Sequence, residues 1–96
     1  MSSQVSGLTF SINPEAAASF HDDGVVILDT GTGRLFTANR TGSRIWRGVE
    51  QQLPLEAIAK GISDEYQVAP STAHEHTICF LFALERQVLI HREVAS

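Results

Sequence analysis

Cysteine is almost absent: Cys79 is the one thiol in 96 residues. That excludes an internal disulfide framework and fits a reducing compartment, so a cytoplasmic protein is expected. Lysine is as scarce, with Lys60 alone beside six arginines. Eleven acidic residues against seven basic ones leave a net charge of −4. Nucleic acid needs a concentrated surplus of cations, so it is an unfavoured partner. No apolar run approaches the ~20 residues of a membrane span. The opening MSSQVSGLTF has neither the basic flank nor the apolar stretch of a secretion signal. Repeats, low-complexity tracts and linkers are missing too, which leaves one domain over residues 1–96. Folding buries roughly 60–65% of the surface of so short a chain, enough for one core but not for a deep substrate cavity.

Groups for catalysis or metal binding are equally thin. His74 and His76 are two apart on a helical segment and point about 160° away from each other, so they cannot grip one ion. His76 and Cys79 are three apart, but two ligands do not close a zinc site. The same pair lacks a third, orienting group for nucleophilic chemistry. No metal and no cofactor is expected. Asp29-Thr30-Gly31-Thr32-Gly33-Arg34 holds a lone GxG, but a strand follows it where a phosphate cradle would need a helix. It reads as a hairpin turn.

What is present is a change of period near Asn39. Before it, Leu8 to Ile12 alternates and stops at Asn13-Pro14. Glu15 to Phe20 lies between Pro14 and a His-Asp-Asp-Gly turn and is taken as a short strand. Val25 to Leu28 is wholly apolar, as in a strand covered on both faces or packed tightly on one. Arg34 to Ala38 returns as the next strand, and the first forty residues are expected to form a small antiparallel sheet. After it, Asn39 is placed to cap a helix with Ile45, Trp46 and Val49 on one side and Arg40, Arg44 and Arg47 on the other. A second helix from Pro54 to Tyr66 buries Leu55, Ile58, Ala59 and Ile62, and a third runs from Pro70 to about Gln87. Val88-Leu89-Ile90 reads as a short strand or extended tail. The expected class is α+β and winged helix-turn-helix-like, a three-stranded antiparallel sheet followed by a three-helix bundle.

On the third helix, Ala73, Phe80, Leu81, Leu84 and Val88 fall within about 60° of Thr77 and form with it a sufficient core stripe. Ile78 and Phe82 are left on one shoulder. A wider core or a dimer contact explains them, and so does a hydrophobic groove for a partner. The winged-helix pattern also raises a DNA-binding regulator as the alternative. Its recognition helix, however, would offer Glu75, Glu85 and a single Arg86 to base edges.

Three stretches together carry a family pattern. VVILDTGTGRLFTANRTGSRIW gives an apolar strand, Asp, a Gly turn, a strand ending in Asn and a helix with Ile-Trp. LEAIAKGISDEYQV gives a helix with Ile, a small residue and a closing Tyr-x-Val, and FLFALERQVLI gives Phe-Leu-x-x-Leu before a short apolar tail. In this order and spacing they resemble the coenzyme PQQ synthesis protein D family, also called RiPP recognition elements. The likeness covers about residues 5–92, the core of the domain, and is to stand-alone members found beside lasso-peptide and other ribosomal-peptide modification enzymes. The chain departs from the pattern at His76, where the family often has an acid, which bears on the polarity of the groove or the anchoring of the helix. It departs again at Val88, where the family often has Gly, which bears on the turn into the tail.

The resemblance implies a non-catalytic module that holds the leader segment of a precursor peptide as an added strand between the third strand and the third helix. It would present that peptide to a modifying enzyme: a leader peptidase, a cyclase or a radical SAM enzyme. Arg34, Leu35, Phe36, Thr37 and Ala38 would supply the pairing edge, and His74, Ile78 and Phe82 the flanking surface. Arg40, Arg44 and Arg47 are the candidate contact with the enzyme, with a solvated face as the alternative. Neither a membrane nor a cofactor enters this scheme.

Overall fold

The computed structural model describes residues 7–93, which form an α+β structure of eight elements. They are β1 (Thr9–Ile12), β2 (Ala16–His21), β3 (Gly24–Asp29), β4 (Arg34–Asn39), α1 (Arg40–Glu50), α2 (Leu55–Tyr66), α3 (Pro70–Arg86) and β5 (Ile90–Glu93).

β2, β3 and β4 make an antiparallel meander in that order, with Ile27 opposite both Ala18 and Phe36. Tight turns set the register. At Gly24 a Cβ would sit 2.0 Å from the carbonyl oxygen of Ala38, so only glycine lets β3 approach β4 there. At the other end, Asp29 Oδ1 accepts from the amides of Gly31 (2.9 Å) and Thr32 (3.3 Å) and closes the β3–β4 hairpin. The apolar β3 is packed tightly on one face only. Val25 and Ile27 are buried against the helices, while Val26 and Leu28 are half-buried on the outer face.

β1 does not join this meander. It pairs antiparallel with β5, Thr9 opposite Glu93 and Ile12 opposite Ile90, in a separate two-stranded sheet. The expectation that the first forty residues form one sheet is corrected here. Strand alternation identifies an extended segment but not its partner, and the chain leaving α3 supplies that partner. Asn13 secures the junction: its amide donates to the carbonyl of Leu89 (2.9 Å) and its Nδ2 to that of Val88 (2.9 Å).

The helices form as their periods direct. Asn39 caps α1, its side chain accepting from the amide of Gly42 (3.0 Å). Ile45, Trp46 and Val49 of α1, Leu55, Ile58 and Ile62 of α2, and Ala73, Leu81 and Leu84 of α3 close one core with Phe10, Val25, Ile27 and Ile90. Thr77 is the buried polar residue, and its hydroxyl donates to the carbonyl of Ala73 (2.7 Å). Two members of the expected α3 stripe lie outside it. Phe80 is half-buried, and Val88 falls beyond the helix end, 53% exposed.

Candidate functional site

One edge of β4 pairs with β3; the other has no strand partner among the described residues. Such an edge presents a row of free N–H and C=O groups. By the pleat, Phe36 and Ala38 are turned inward and half-buried, whereas Leu35 and Thr37 are exposed. Phe36 meets Phe80 of α3 edge-to-face, ring centroids 6.0 Å apart at 67°. α1 makes room for that contact at Gly42, where a Cβ would lie 2.6 Å from Cβ of Ala38 and 2.8 Å from the Phe80 ring. The free edge of β4 is thus bordered by the Phe80 ring of α3. At the Arg34 end of β4 lies a cleft of about 300 Å³ lined by Leu35, Phe36, Val88 and Leu89 with Glu15 and Asp29, among others.

The expected strand residues Arg34 to Ala38 all lie on this edge. The expected helix residues do not face it. His74 lines a different cavity, between α2 and α3, with Ala59, Ser63 and Pro70. The Phe82 ring lies beneath the Arg92 guanidinium of β5, 4.9 Å from its centroid, and Arg92 also pairs with Glu85 at 2.7 Å. Ile78 is half-buried against the core, on the same helix flank as His74 by the 100° count. It is Phe80, on the opposite flank, that faces β4. The sequence signal for this contact is Gly42, since one reason for a glycine inside a helix is the close approach of a bulky neighbour.

The three arginines of α1 gather on the side of the molecule that carries β2. Arg47 lies over the Phe20 ring, 3.9 Å from its centroid. Arg44 pairs with Glu65 of α2 at 2.7 Å, with side chains 33% and 50% exposed. Arg40 completes a shallow depression with Phe20, Asp22 and Tyr66. Among the described residues, no group of three or more His, Cys, Asp or Glu is placed to hold a metal ion, and no helix is long and apolar enough to cross a membrane.

The sequence model of the coenzyme PQQ synthesis protein D (PqqD) family matches residues 24–90, from the start of β3 to the start of β5. The chain belongs to the PqqD family. Two solved structures resemble this PqqD-family protein over nearly their whole length. One is TbiB1 in complex with the TbiA(beta) leader peptide: it is 32% identical, with 90% of this chain and 99% of that chain covered at a TM-score of 0.79. The other is a lasso peptide synthetase B1 complexed with its leader peptide: it is 22% identical, with 85% and 96% covered at a TM-score of 0.78, a likeness of fold. Among curated proteins none matches the sequence.

Proposed function

We propose that this PqqD-family protein is a leader-peptide recognition module in the biosynthesis of a ribosomally made, modified peptide. It binds the leader as an additional strand on the free edge of β4, in the groove between β4 and α3. It then presents the peptide to a modifying enzyme without catalysing a step itself. The observation that carries this reading is the unpaired edge of β4 beside the Phe36–Phe80 wall. A 32%-identical relative whose structure holds a leader peptide supports it. Backbone pairing supplies affinity and the apolar wall supplies selectivity for alternate side chains. In this scheme the backbone of Arg34 to Ala38 pairs, Phe36 and Phe80 form the wall, and His74, Ile78 and Phe82 stay outside the groove. The fold serves as a winged-helix-like scaffold whose third helix lines a peptide groove in place of a DNA groove, and it works in the cytoplasm, where Cys79 stays reduced.

Fluorescence polarisation with a labelled leader, taken from a short reading frame beside this gene, tests the reading. Peptides carrying a single N-methyl group at successive positions separate strand pairing from looser contact. Affinity should fall at every second position and hold between them, because only alternate amides of an added strand point at β4. A uniform response along the peptide, or no binding to any neighbouring leader, sinks the proposal.

A further inference from the structure

The end of α3 carries a residue at odds with its own backbone. The helix closes with two hydrogen bonds, from the amide of Val88 to the carbonyl of Glu85 (2.9 Å) and from that of Leu89 to that of Leu84 (3.0 Å). In this terminus the residue after the cap adopts left-handed backbone. Glycine suits the position because it has no Cβ to crowd the following carbonyl. Here the residue is valine at φ 62°, and a β-branched side chain is strained there. The fold gains little from that side chain, which is 53% exposed and outside the core. The turn itself is fixed by other groups: Asn13 bonds the carbonyls of Val88 and Leu89, and Leu89 is buried. The reason for an isopropyl group at this point lies outside the fold.

Its surroundings supply that reason. Val88 and Leu35 are two of the three exposed large hydrophobic residues among those described, and both line the cleft at the Arg34 end of β4. One apolar residue at a surface is ordinary, but two on one cleft, one of them held against its backbone preference, mark a contact site. We infer that Val88 is a specificity-determining residue, the wall of a pocket that takes one large apolar side chain of the peptide strand paired on β4. The inference rests on the reading of β4 as the pairing edge. An added strand sends alternate side chains toward α3, and the cleft continues from that edge at Leu35 and Phe36. Its volume of about 300 Å³ is at the small end of ligand pockets, suited to one side chain of a peptide anchored elsewhere.

Val88→Gly and Val88→Asn test this, since both residues accept left-handed backbone. Each variant is titrated with labelled leader and melted in parallel with the wild type. The expected result is an unchanged or raised melting temperature together with affinity weakened about tenfold, the loss of one branched side chain's contact. An alanine scan of the leader should then show one apolar position whose effect is shared with Val88→Gly and not added to it. Wild-type affinity in both variants overturns the pocket while leaving the β4 reading intact. Weakened binding accompanied by a lowered melting temperature also overturns it, because Val88 would then serve the fold. A wild type that binds no leader sinks both.

Discussion

Gly42 and Gly61 are both helical glycines, and their neighbours give them opposite prospects. At Gly42 an added Cβ meets Cβ of Ala38 at 2.6 Å and the Phe80 ring at 2.8 Å, two groups fixed by the sheet and by α3. Gly42→Ala gains up to about 1 kcal/mol in helix propensity, against about 1–3 kcal/mol for overpacking. A net loss in the urea midpoint is expected, with weaker peptide binding because Phe80 is displaced. At Gly61 the nearest atom is Nη2 of Arg44 at 2.9 Å, the far end of a flexible side chain. Gly61→Ala should therefore stabilise the protein, by about 0.5–1 kcal/mol in the same urea titration. The Asn39 cap and the turn glycines could be read from sequence because their chemistry is local. Phe80 could not, because a helical wheel gives its angle and not the identity of what stands opposite. Val88 leaves the expected stripe for a related reason: the helical period holds only as far as Arg86, where the helix ends.

At the scale of elements, the β1–β5 pair ties the two ends of the described chain together and seats Phe10 and Ile90 in the core. Ile90 is fully buried, and Ile90→Ala should cost about 2–5 kcal/mol in a chemical denaturation curve, the range for an apolar cavity of this kind. A loss within about 0.5 kcal/mol, the range of ordinary surface substitutions, would mean that β5 frays and the helices hold the core alone. The salt bridge joining α1 to α2 works at another magnitude. Arg44 and Glu65 are 33% and 50% exposed, so Glu65→Gln should shift stability by less than about 1 kcal/mol despite the 2.7 Å contact. The elements themselves were legible because each has its own period. The pairing of β1 was not, since it joins segments some eighty residues apart. The same limit applies to the proposed site: β4 is legible as a strand, but which flank of α3 faces it is set by the meeting of Phe80 with Phe36 and Gly42.

The whole molecule separates two surfaces. The β4–α3 groove lies at one edge of the meander, and the arginines of α1 gather at the other, where Arg47 covers Phe20 of β2. Peptide pairing through backbone and apolar contact predicts affinity that changes less than about threefold between low and high salt, whereas duplex binding through phosphates loses about 10³–10⁵ over a similar span. The arginine face calls for its own test, and Arg40 is the residue to change. It is exposed, and it is the first residue of α1, where the helix dipole disfavours a cation, although Asp22 lines the same depression. The two effects oppose each other, so Arg40→Gln should change stability by less than about 1 kcal/mol in a thermal melt. Leader affinity should stay within about twofold of wild type, because Arg40 follows the pairing stretch of β4, lines the depression with Phe20 and Asp22, and the peptide pairs through backbone. If the face docks the modifying enzyme, the same variant slows processing of the full precursor at low protein concentration, where delivery sets the local peptide concentration. Raising the enzyme concentration should then restore the rate. Processing at the wild-type rate throughout would instead remove Arg40 from any contact with the enzyme and leave Arg44 and Arg47 to their contacts with Glu65 and Phe20.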